Sequence, residues 1–486
     1  MERCIGPSSG CGSRFVKDRR SSSSRGAGAA RGEPLTVPTD RGGVWMPPKI
    51  GMVLIGHPDY PNDIGLQFAQ EAAESLRARG SEVRFEPVAL TRPLEARAAG
   101  IRAAAEDPDG VVVFLGTWIE CPTALQAIRE FEHLPFAVWG HNMFPWQGKR
   151  ESTGSFVAAA VLKGALERME YRAETIIGLP SDERAQAQAA VFCRAAHAVK
   201  RLRRTRIALV GYAAMGMYAG TFDHARLRRH VGPEVEHLDT YSLIRMAEAA
   251  PEEAVQRAAE DLRAKAEIRV EPDRLLKAAR LAAGLRALLH EGAFDAVNVK
   301  CQYELSQQYG MTPCVPLSLI ADEGGVAGCE GDLLTTVTQG LLRYLADETP
   351  YYGDILDLNG RRMLLSSCGF APFGLCNPDE TPCVCELGYP GFDGIISSFT
   401  LRRGPVTFAR LAEGARADHR LNYGTGVGVE TDLRQGRFPA LEIELDGDPD
   451  LLWGTIASQH FALCYGDVSA EIEAVCRHLN ITACRV

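Results

Sequence analysis

Val326-Ala327-Gly328-Cys329-Glu330-Gly331-Asp332 is a strand-like run that closes with two carboxylates, and a helical pattern, Leu333–Ala346, follows at once. A strand that passes through a short turn into a helix is the repeating unit of parallel α/β sheets. An acid in that turn is often a helix cap. The turn also lies at the edge where such sheets place their sites, so a cap, a metal ligand and a proton-transfer group all stay open.

The same alternation of strand and helix runs from Lys49 onwards. The predicted strands before residue 350 are 50–55, 83–88, 110–115, 136–139, 206–210, 235–238, 296–300 and 314–320. The predicted helices there are 67–79, 122–131, 185–202, 252–266 and 273–290. This rhythm predicts an α/β fold with two parallel α/β domains, residues 49–175 and 176–350.

The composition and periodicity of the sequence change after about residue 350, where helical patterns become scarce. Gly, Pro and short apolar runs predominate, at 363–365, 394–401, 405–409 and 440–445, and one helix is predicted at 469–479. Residues 351–486 are therefore predicted to be a β-rich C-terminal domain.

Composition narrows the class of protein. Residues 1–48 are rich in Arg, Ser and Gly without apolar periodicity, which predicts a disordered tail; Met46, just before the first strand, is a candidate natural start. The net charge of −9 argues against a nucleic-acid partner. With no apolar stretch of membrane-spanning length and no signal peptide, we expect a cytoplasmic protein with no membrane partner, whose fourteen cysteines are reduced.

Two further residues are candidates for chemistry. Glu304 follows the predicted strand 296–300, and adjacent strand ends would place it beside Asp332. Carboxylate oxygens of this kind suit Mn²⁺ or Mg²⁺, although a solvated acid on a first helical turn is the alternative. His460 lies among apolar neighbours, where a core histidine is commoner than a ligand.

Aromatic side chains offer candidate sugar platforms. Trp118, Trp139, Trp146 and Tyr212 are predicted at strand ends or in loops, and core packing is about as frequent for each. Trp118 is the strongest candidate because it directly follows a buried strand.

Two patterns predict no site. Gly211 and Gly216 lack the spacing of a dinucleotide-binding loop. The cysteines of the third domain lack zinc-site spacing and are interpreted as reduced loop thiols: Cys368, Cys376, Cys383 and Cys385.

Taken together, these residues resemble the L-fucose isomerase/L-arabinose isomerase family, and more closely its fucose-isomerase-like branch, over most of the chain from about Lys49. The motifs are Lys-Cys-x-x-Glu at 300–304, Cys-Glu-Gly-Asp at 329–332, and His460 followed by Ala-Leu and Gly-Asp at 460–467. Ser367 stands where arabinose-isomerase-like members carry a metal-binding His, which favours the three-ligand site of the fucose-isomerase type.

The resemblance implies a site and an assembly. Mn²⁺, with Mg²⁺ or Co²⁺ as alternatives, would be held by Glu304, Asp332 and His460. The first two would also be the acid/base pair, and Glu330 would orient a ligand or a water. Substrate contacts are expected at Trp118, Met215, Lys300, Gln302 and Gln459. The family's enzymes have two Rossmann-like domains followed by a β-rich domain, and they are homo-oligomers, often hexamers, whose sites a neighbouring subunit completes.

The implied function is a metal-dependent aldose–ketose isomerase of carbohydrate metabolism, acting on a small sugar through a cis-enediolate. Two alternatives stay open: a non-catalytic sugar-binding or sensing protein on the same fold, and a related metal-dependent sugar epimerase. The candidate sugars are 6-deoxyhexoses, pentoses and C6-modified hexoses.

Overall fold

The structure, a computed structural model, describes residues 46–346, 348–416 and 418–486 of the 486-residue chain. The predicted disordered tail therefore lies outside the described residues, except for residues 46–48. The α-helices are Asn62–Ala78, Pro93–Ala105, Cys121–Phe131, Ser155–Arg168, Glu183–Arg204, His224–His230, Thr240–Glu248, Glu252–Lys265, Pro272–Glu291, Cys314–Asp322, Leu333–Ala346, Pro449–Thr455 and Ser469–Leu479.

The first sheet has five parallel strands with helices packed against it. In spatial order they are Glu82–Leu90, Lys49–Ile55, Gly110–Leu115, Phe136–Gly140 and Ala173–Ile177. The central strands are buried runs of β-branched and aromatic residues, as expected where helices cover both faces. A two-stranded hairpin, Phe144–Trp146 with Lys149–Glu151, follows the fourth strand.

The second sheet has four parallel strands, in the order Val326–Cys329, Ala296–Val299, Arg206–Val210 and Glu234–Leu238. The strand before the acidic turn is thus the neighbour of the strand before Glu304, as the sequence predicts. Val299 pairs with Cys329, so both carboxyl ends lie at the same edge of the sheet.

The predicted strand at 314–320 is wrong, because this segment is the helix Cys314–Asp322. Almost every residue of that helix is buried, so its sequence carries no polar face from which a helical period could be recognised. Pro316 falls in its first turn, where proline is tolerated, whereas it would remove a hydrogen bond from a central strand.

The C-terminal region is a six-stranded antiparallel barrel. Its strands are, in order, Gly404–Glu413, His460–Tyr465, Tyr351–Asn359, Arg362–Ser366, Ala440–Leu445 and His419–Val429. The last pairs with the first along most of its length and closes the barrel, and Thr482–Arg485 adds a parallel strand beside it. The fold class, α/β with a β-rich C-terminal part, is confirmed.

A small sheet joins chain segments from both sides of residue 350. It contains Glu267–Ile268, Cys383–Glu386 and Ile395–Ser398. One large apolar cluster likewise includes Val297 of the second sheet, Tyr352 and Phe408 of the barrel, and residues of this small sheet. The second sheet and the barrel therefore share a core, and the acidic turn lies where they meet. The exact domain boundaries stay a prediction.

Two global features complete the picture. No helix in the described part of the chain is long and apolar enough to span a bilayer. Each of the twelve cysteines that the structure describes is a free thiol. Cys383 and Cys385 lie in a strand rather than in a loop.

Candidate active site

The acidic turn is held in an unusual backbone conformation. Glu330 has φ +62° and Gly331 has φ +73°. A side chain on Gly331 would collide with the backbone of Tyr212, so only glycine fits there. Asn298, on the adjacent strand, accepts a hydrogen bond from the Gly331 N–H at 2.8 Å and donates to the Asp332 carbonyl at 3.1 Å. The positive φ of Glu330 is of the kind that persists at functional sites, because the surrounding structure fixes it.

Asp332 is buried in a salt bridge with Arg410. Its Oδ2 lies 2.7 Å from Nη1 of Arg410, and the two side chains are 1% and 0% exposed. Its Oδ1 accepts the Thr335 N–H at 3.1 Å, so Asp332 also caps the following helix. Burial acts to raise the pKa of Asp332, but Arg410 and His460 outweigh it and hold the pKa well below its usual range.

His460 contacts three carboxylates at once. Its Nδ1 is 2.9 Å from Oδ2 of Asp332, and its Nε2 is 3.3 Å from Oε2 of Glu330 and 3.2 Å from Oδ1 of Asp354. Asp354 is its cross-strand partner in the barrel. Burial would lower the pKa of His460, but the carboxylates raise it well above its ordinary value. The three carboxylates therefore favour the protonated form of the ring.

Glu330 connects this cluster to a cavity. Its Oε1 accepts a hydrogen bond from the Cys368 thiol at 3.1 Å. Burial acts to raise the pKa of Glu330, but His460 and Cys368 lower it overall, so the carboxylate is ionised at neutral pH. Glu330 is the charged member of the cavity wall, and a negative charge there is balanced by the imidazolium behind it.

The cavity has a volume of about 230 Å³. That is below the roughly 300–1,000 Å³ of sites for drug-sized ligands and suits a small molecule such as a monosaccharide. Its wall combines aromatic rings, thiols and a few polar groups: Met215, Cys301, Gln302, Thr312, Cys314, Cys329, Glu330, Tyr352, Ser367, Cys368, Phe370, Leu387, Tyr389, Phe392, Gln435 and Phe438.

The structure brings only part of the predicted set together. Asp332 and His460 are in contact, whereas Glu304 begins a short helical turn and is 40% exposed. Its carboxylate accepts hydrogen bonds from Lys300 Nζ and the Tyr303 N–H, each at 3.0 Å. Burial would raise the pKa of Glu304, but backbone N–H groups and Lys300 lower it overall.

The predicted substrate contacts divide in the same way. Met215 and Gln302 line the cavity, and the Oε1 of Gln302 has no hydrogen-bond partner among the described residues. Lys300 is engaged by Glu304, and Gln459 donates to the sulfur of Met217 at 3.0 Å. Trp118 lies after the third strand of the first sheet, where its backbone N–H donates to the Thr153 carbonyl. It is not among the cavity-lining residues.

The other aromatic candidates lie elsewhere. Trp139 is a core residue of the first sheet, and Trp146 is an exposed residue of the hairpin. Tyr212 is exposed next to the acidic turn.

Several site residues have no signal in the sequence. Arg410, Asp354 and Tyr352 lie in barrel strands, and no motif in the sequence connects them with the acidic turn or with His460. The ring of Tyr352 packs on His460 at a centroid distance of 4.8 Å. The sequence indicates Cys368 only as one of the four cysteines of the third domain.

The predicted Mn²⁺ can be compared with the donors present. Within the described residues, no group of three or more His, Cys, Asp and Glu side chains is arranged to hold an ion. Both ring nitrogens of His460 already contact carboxylates, and Asp332 faces a guanidinium that would repel a second cation. Glu304 is paired with Lys300 instead. The set Glu304, Asp332 and His460 therefore does not fit an ion as it is arranged here.

Comparisons with known proteins point to one class of enzyme. No family model matches the chain. A sulfoquinovose isomerase from Priestia aryabhattai is 21% identical over 440 residues, which cover 88% of this chain and 97% of the relative. One from Alkalicoccus urumqiensis is 22% identical over 440 residues, covering 85% and 96%. One from Clostridium sp. (strain MSTE9) is 23% identical over 383 residues, covering 75% and 80%.

This chain is an aldose–ketose isomerase. The predicted enzyme class, an intramolecular oxidoreductase of carbohydrate metabolism, is confirmed by these matches, which also imply a small sugar as substrate. The fucose-isomerase-like branch stays a prediction.

Proposed function

We propose that the isomerase interconverts an aldose and a ketose through a cis-enediolate, in the cavity that Glu330 borders. The observation that carries this proposal is the Glu330 carboxylate at the cavity wall, with Nε2 of His460 lying 3.3 Å from its Oε2. Moving a proton between C1 and C2 needs a base within reach of the carbon acid and positive charge near the developing oxyanion. Glu330 supplies the base, whereas His460 lies behind Glu330, does not border the cavity, and orients this carboxylate.

The roles of the two acids in the turn are exchanged relative to the sequence prediction. Asp332 is committed to Arg410, His460 and the Thr335 N–H, and it does not border the cavity. Glu330 borders the cavity and has the freer carboxylate. We therefore assign proton transfer to Glu330 and a positioning role to Asp332. A catalytic role for Glu304 stays a prediction.

Mn²⁺, with Mg²⁺ or Co²⁺ as alternatives, also stays a prediction. When bound, such an ion would polarise the oxygens at C1 and C2. Equilibrium dialysis of the purified protein with Mn²⁺ tests this point: binding of one ion per chain that Glu304→Gln weakens would support it, and no binding would oppose it.

The substrate of the curated relatives, sulfoquinovose, is the first candidate for this chain. Other C6-modified hexoses, 6-deoxyhexoses and pentoses follow, since the cavity volume of about 230 Å³ suits a single sugar ring. The names of the relatives favour isomerisation over the predicted alternatives, a non-catalytic sugar-binding protein or an epimerase.

The test is incubation of the enzyme with each sugar in D₂O, with and without added Mn²⁺, followed by NMR of the products. We expect ketose from the preferred aldose and deuterium at C2 of the recovered aldose. Product that carries no deuterium would argue against proton exchange through an enediolate. A C2 epimer without ketose would identify an epimerase.

The predicted homo-oligomer, a hexamer in many family members, stays a prediction together with the neighbour's contribution to the site. Mass photometry of the purified protein measures the assembly directly. The cytoplasmic location is likewise a prediction.

A further inference from the structure

Arg410 is a fully buried guanidinium in the barrel strand Gly404–Glu413. It is 0% exposed, and burying a cation at this level is costly unless its donors are satisfied. Nη1 and Nη2 have partners, whereas Nε has none among the described residues. Its partners come from three separate parts of the chain. An arginine in such a position indicates that holding these parts together is its role.

One set of contacts reaches the acidic turn and His460. Nη1 of Arg410 donates to Oδ2 of Asp332 at 2.7 Å, to the His460 carbonyl at 3.0 Å and to the Thr335 hydroxyl. Both the carboxylate and the backbone of the imidazole-bearing strand are thereby fixed relative to the barrel.

A second contact reaches the Met215 loop, which we define as residues 211–220. Nη2 of Arg410 donates to the Ala219 carbonyl at 2.9 Å. The other end of the loop is fastened by the Ala214 N–H, which donates to the Glu330 carbonyl at 2.8 Å. Between these two attachments lies Met215, which is 56% exposed and forms part of the cavity wall.

The loop and the acidic turn also pack closely. A Cβ on Gly220 would lie 3.1 Å from Cα and 3.3 Å from Cβ of Asp332. The position of Ala219 relative to Asp332 is therefore set both by packing and by the guanidinium that contacts each of them.

We infer that Arg410 is a positioning residue that fastens the Met215 loop to Asp332 and so fixes one wall of the sugar cavity. The cavity's role as the sugar site rests on the proposed function; the fastening itself does not. The planar guanidinium contacts a carboxylate and a separate carbonyl at the same time, which the single ammonium of lysine does poorly. Arg410→Lys keeps a positive charge for Asp332 and gives up the contact with Ala219.

Hydrogen exchange measured by mass spectrometry tests the fastening without any substrate. In Arg410→Lys we expect amides of the Met215 loop to exchange on the order of tenfold faster than in the wild type, with the strands Arg206–Val210 and Gly404–Glu413 unchanged. Gly220→Ala disturbs the packing of the loop on Asp332 and keeps the Arg410 side chain, so if Arg410→Lys folds poorly it still shows whether the loop amides respond to loss of the Asp332 contact.

Arg206→Lys is the matched control. Arg206 also contacts a carboxylate, Glu236, and a carbonyl, Gly292, but at the opposite edge of the second sheet. We expect it to leave exchange in the Met215 loop unchanged. Unchanged loop exchange in Arg410→Lys, or acceleration spread evenly over the sheet and barrel, would overturn the inference.

Kinetics add a second readout. A loosened cavity wall raises KM, on the order of tenfold for one lost charge-assisted contact, while kcat changes less because Glu330 keeps its place. A loss of similar size in kcat, with KM unchanged, would oppose a positioning role. If the wild-type protein isomerises no sugar, the proposed function fails, and the exchange experiment still decides whether Arg410 fastens the loop.

Discussion

The Nδ1 atom of His460 lies 2.9 Å from Oδ2 of Asp332, and the same oxygen lies 2.7 Å from Arg410. Asp332 is thus shared by two cationic groups, and it holds the imidazole so that the opposite nitrogen, Nε2, points to Glu330 at 3.3 Å. The two carboxylates of one turn consequently have different environments. Asp332 belongs to the buried framework, whereas Glu330 borders the cavity.

Replacement of Glu330 by Gln tests its role in proton transfer. An amide of the same shape removes the base, and we expect kcat to fall by about 10²–10⁴, the usual contribution of a positioned acid or base. The unfolding midpoint in urea should move little, since the side chain keeps its volume and His460 keeps the carboxylates of Asp332 and Asp354. Steady-state kinetics with the preferred sugar measure the first quantity. Activity close to that of the wild type would remove Glu330 from the mechanism.

Replacement of Asp332 by Ala tests the framework role. The change leaves the buried Arg410 without its carboxylate, and breaking a buried pair by removing one partner costs about 3–5 kcal/mol. We expect urea denaturation to show a loss of this size. The exposed acid Asp432 provides the control, because Asp432→Ala should shift the unfolding free energy by less than about 0.5 kcal/mol. Equal stability of the two variants would contradict the assignment.

Local sequence patterns predict which strand ends meet at the sheet edge, but they do not predict how the site side chains are oriented there. The pairing of Ala296–Val299 with Val326–Cys329 follows from strand–helix alternation, which places both carboxyl ends together. The orientation of Glu304 does not follow, because the nearby Lys300 competes for its carboxylate. Which side chains pair at such an edge depends on the positions of nearby charges, and a strand pattern does not predict these positions.

Contacts between distant segments were the least predictable. Arg410 is 78 residues from Asp332 in the sequence, and Asp354 meets His460 through the register of two barrel strands. Register depends on how the whole barrel closes, which no local window contains. The type of element at 314–320 could not be predicted either. This segment is buried on every side, and a buried strand and a buried helix both appear in the sequence as a continuous apolar run.

His478 makes stability depend on pH. Its side chain is buried against Phe192, and burial, with help from Arg477 and Arg203, lowers its pKa to about 4. An unfolded histidine titrates near pH 6.5, so between about pH 6.5 and 4 this group binds a proton in the unfolded chain but not in the folded chain. Stability is therefore expected to fall as the pH drops from about 6.5 to about 4, by up to about 3 kcal/mol from this group.

The variant His478→Gln isolates that contribution. Urea unfolding of both proteins at pH 7 and pH 5 gives the difference in pH dependence, in which groups common to the two proteins cancel. The wild type should lose more stability than the variant between these values. An identical pH dependence would show that folding does not shift the pKa of His478.

Two glycines, one inside a helix and one just before it, should respond in opposite directions to alanine. Gly164 lies inside Ser155–Arg168, and a Cβ there meets nothing within 4 Å. Gly164→Ala should therefore raise the unfolding free energy by about 0.5–1 kcal/mol, because alanine loses less backbone entropy in a helix.

Gly154 precedes the same helix with φ +86°, and a Cβ at this position would lie 3.1 Å from the backbone nitrogen of Trp118. Gly154→Ala should lower stability by about 1–2 kcal/mol or more, from the left-handed backbone and the contact together. Thermal and urea unfolding of both variants measure the pair, and a stabilising Gly154→Ala would show that the helix begins differently from the structure described.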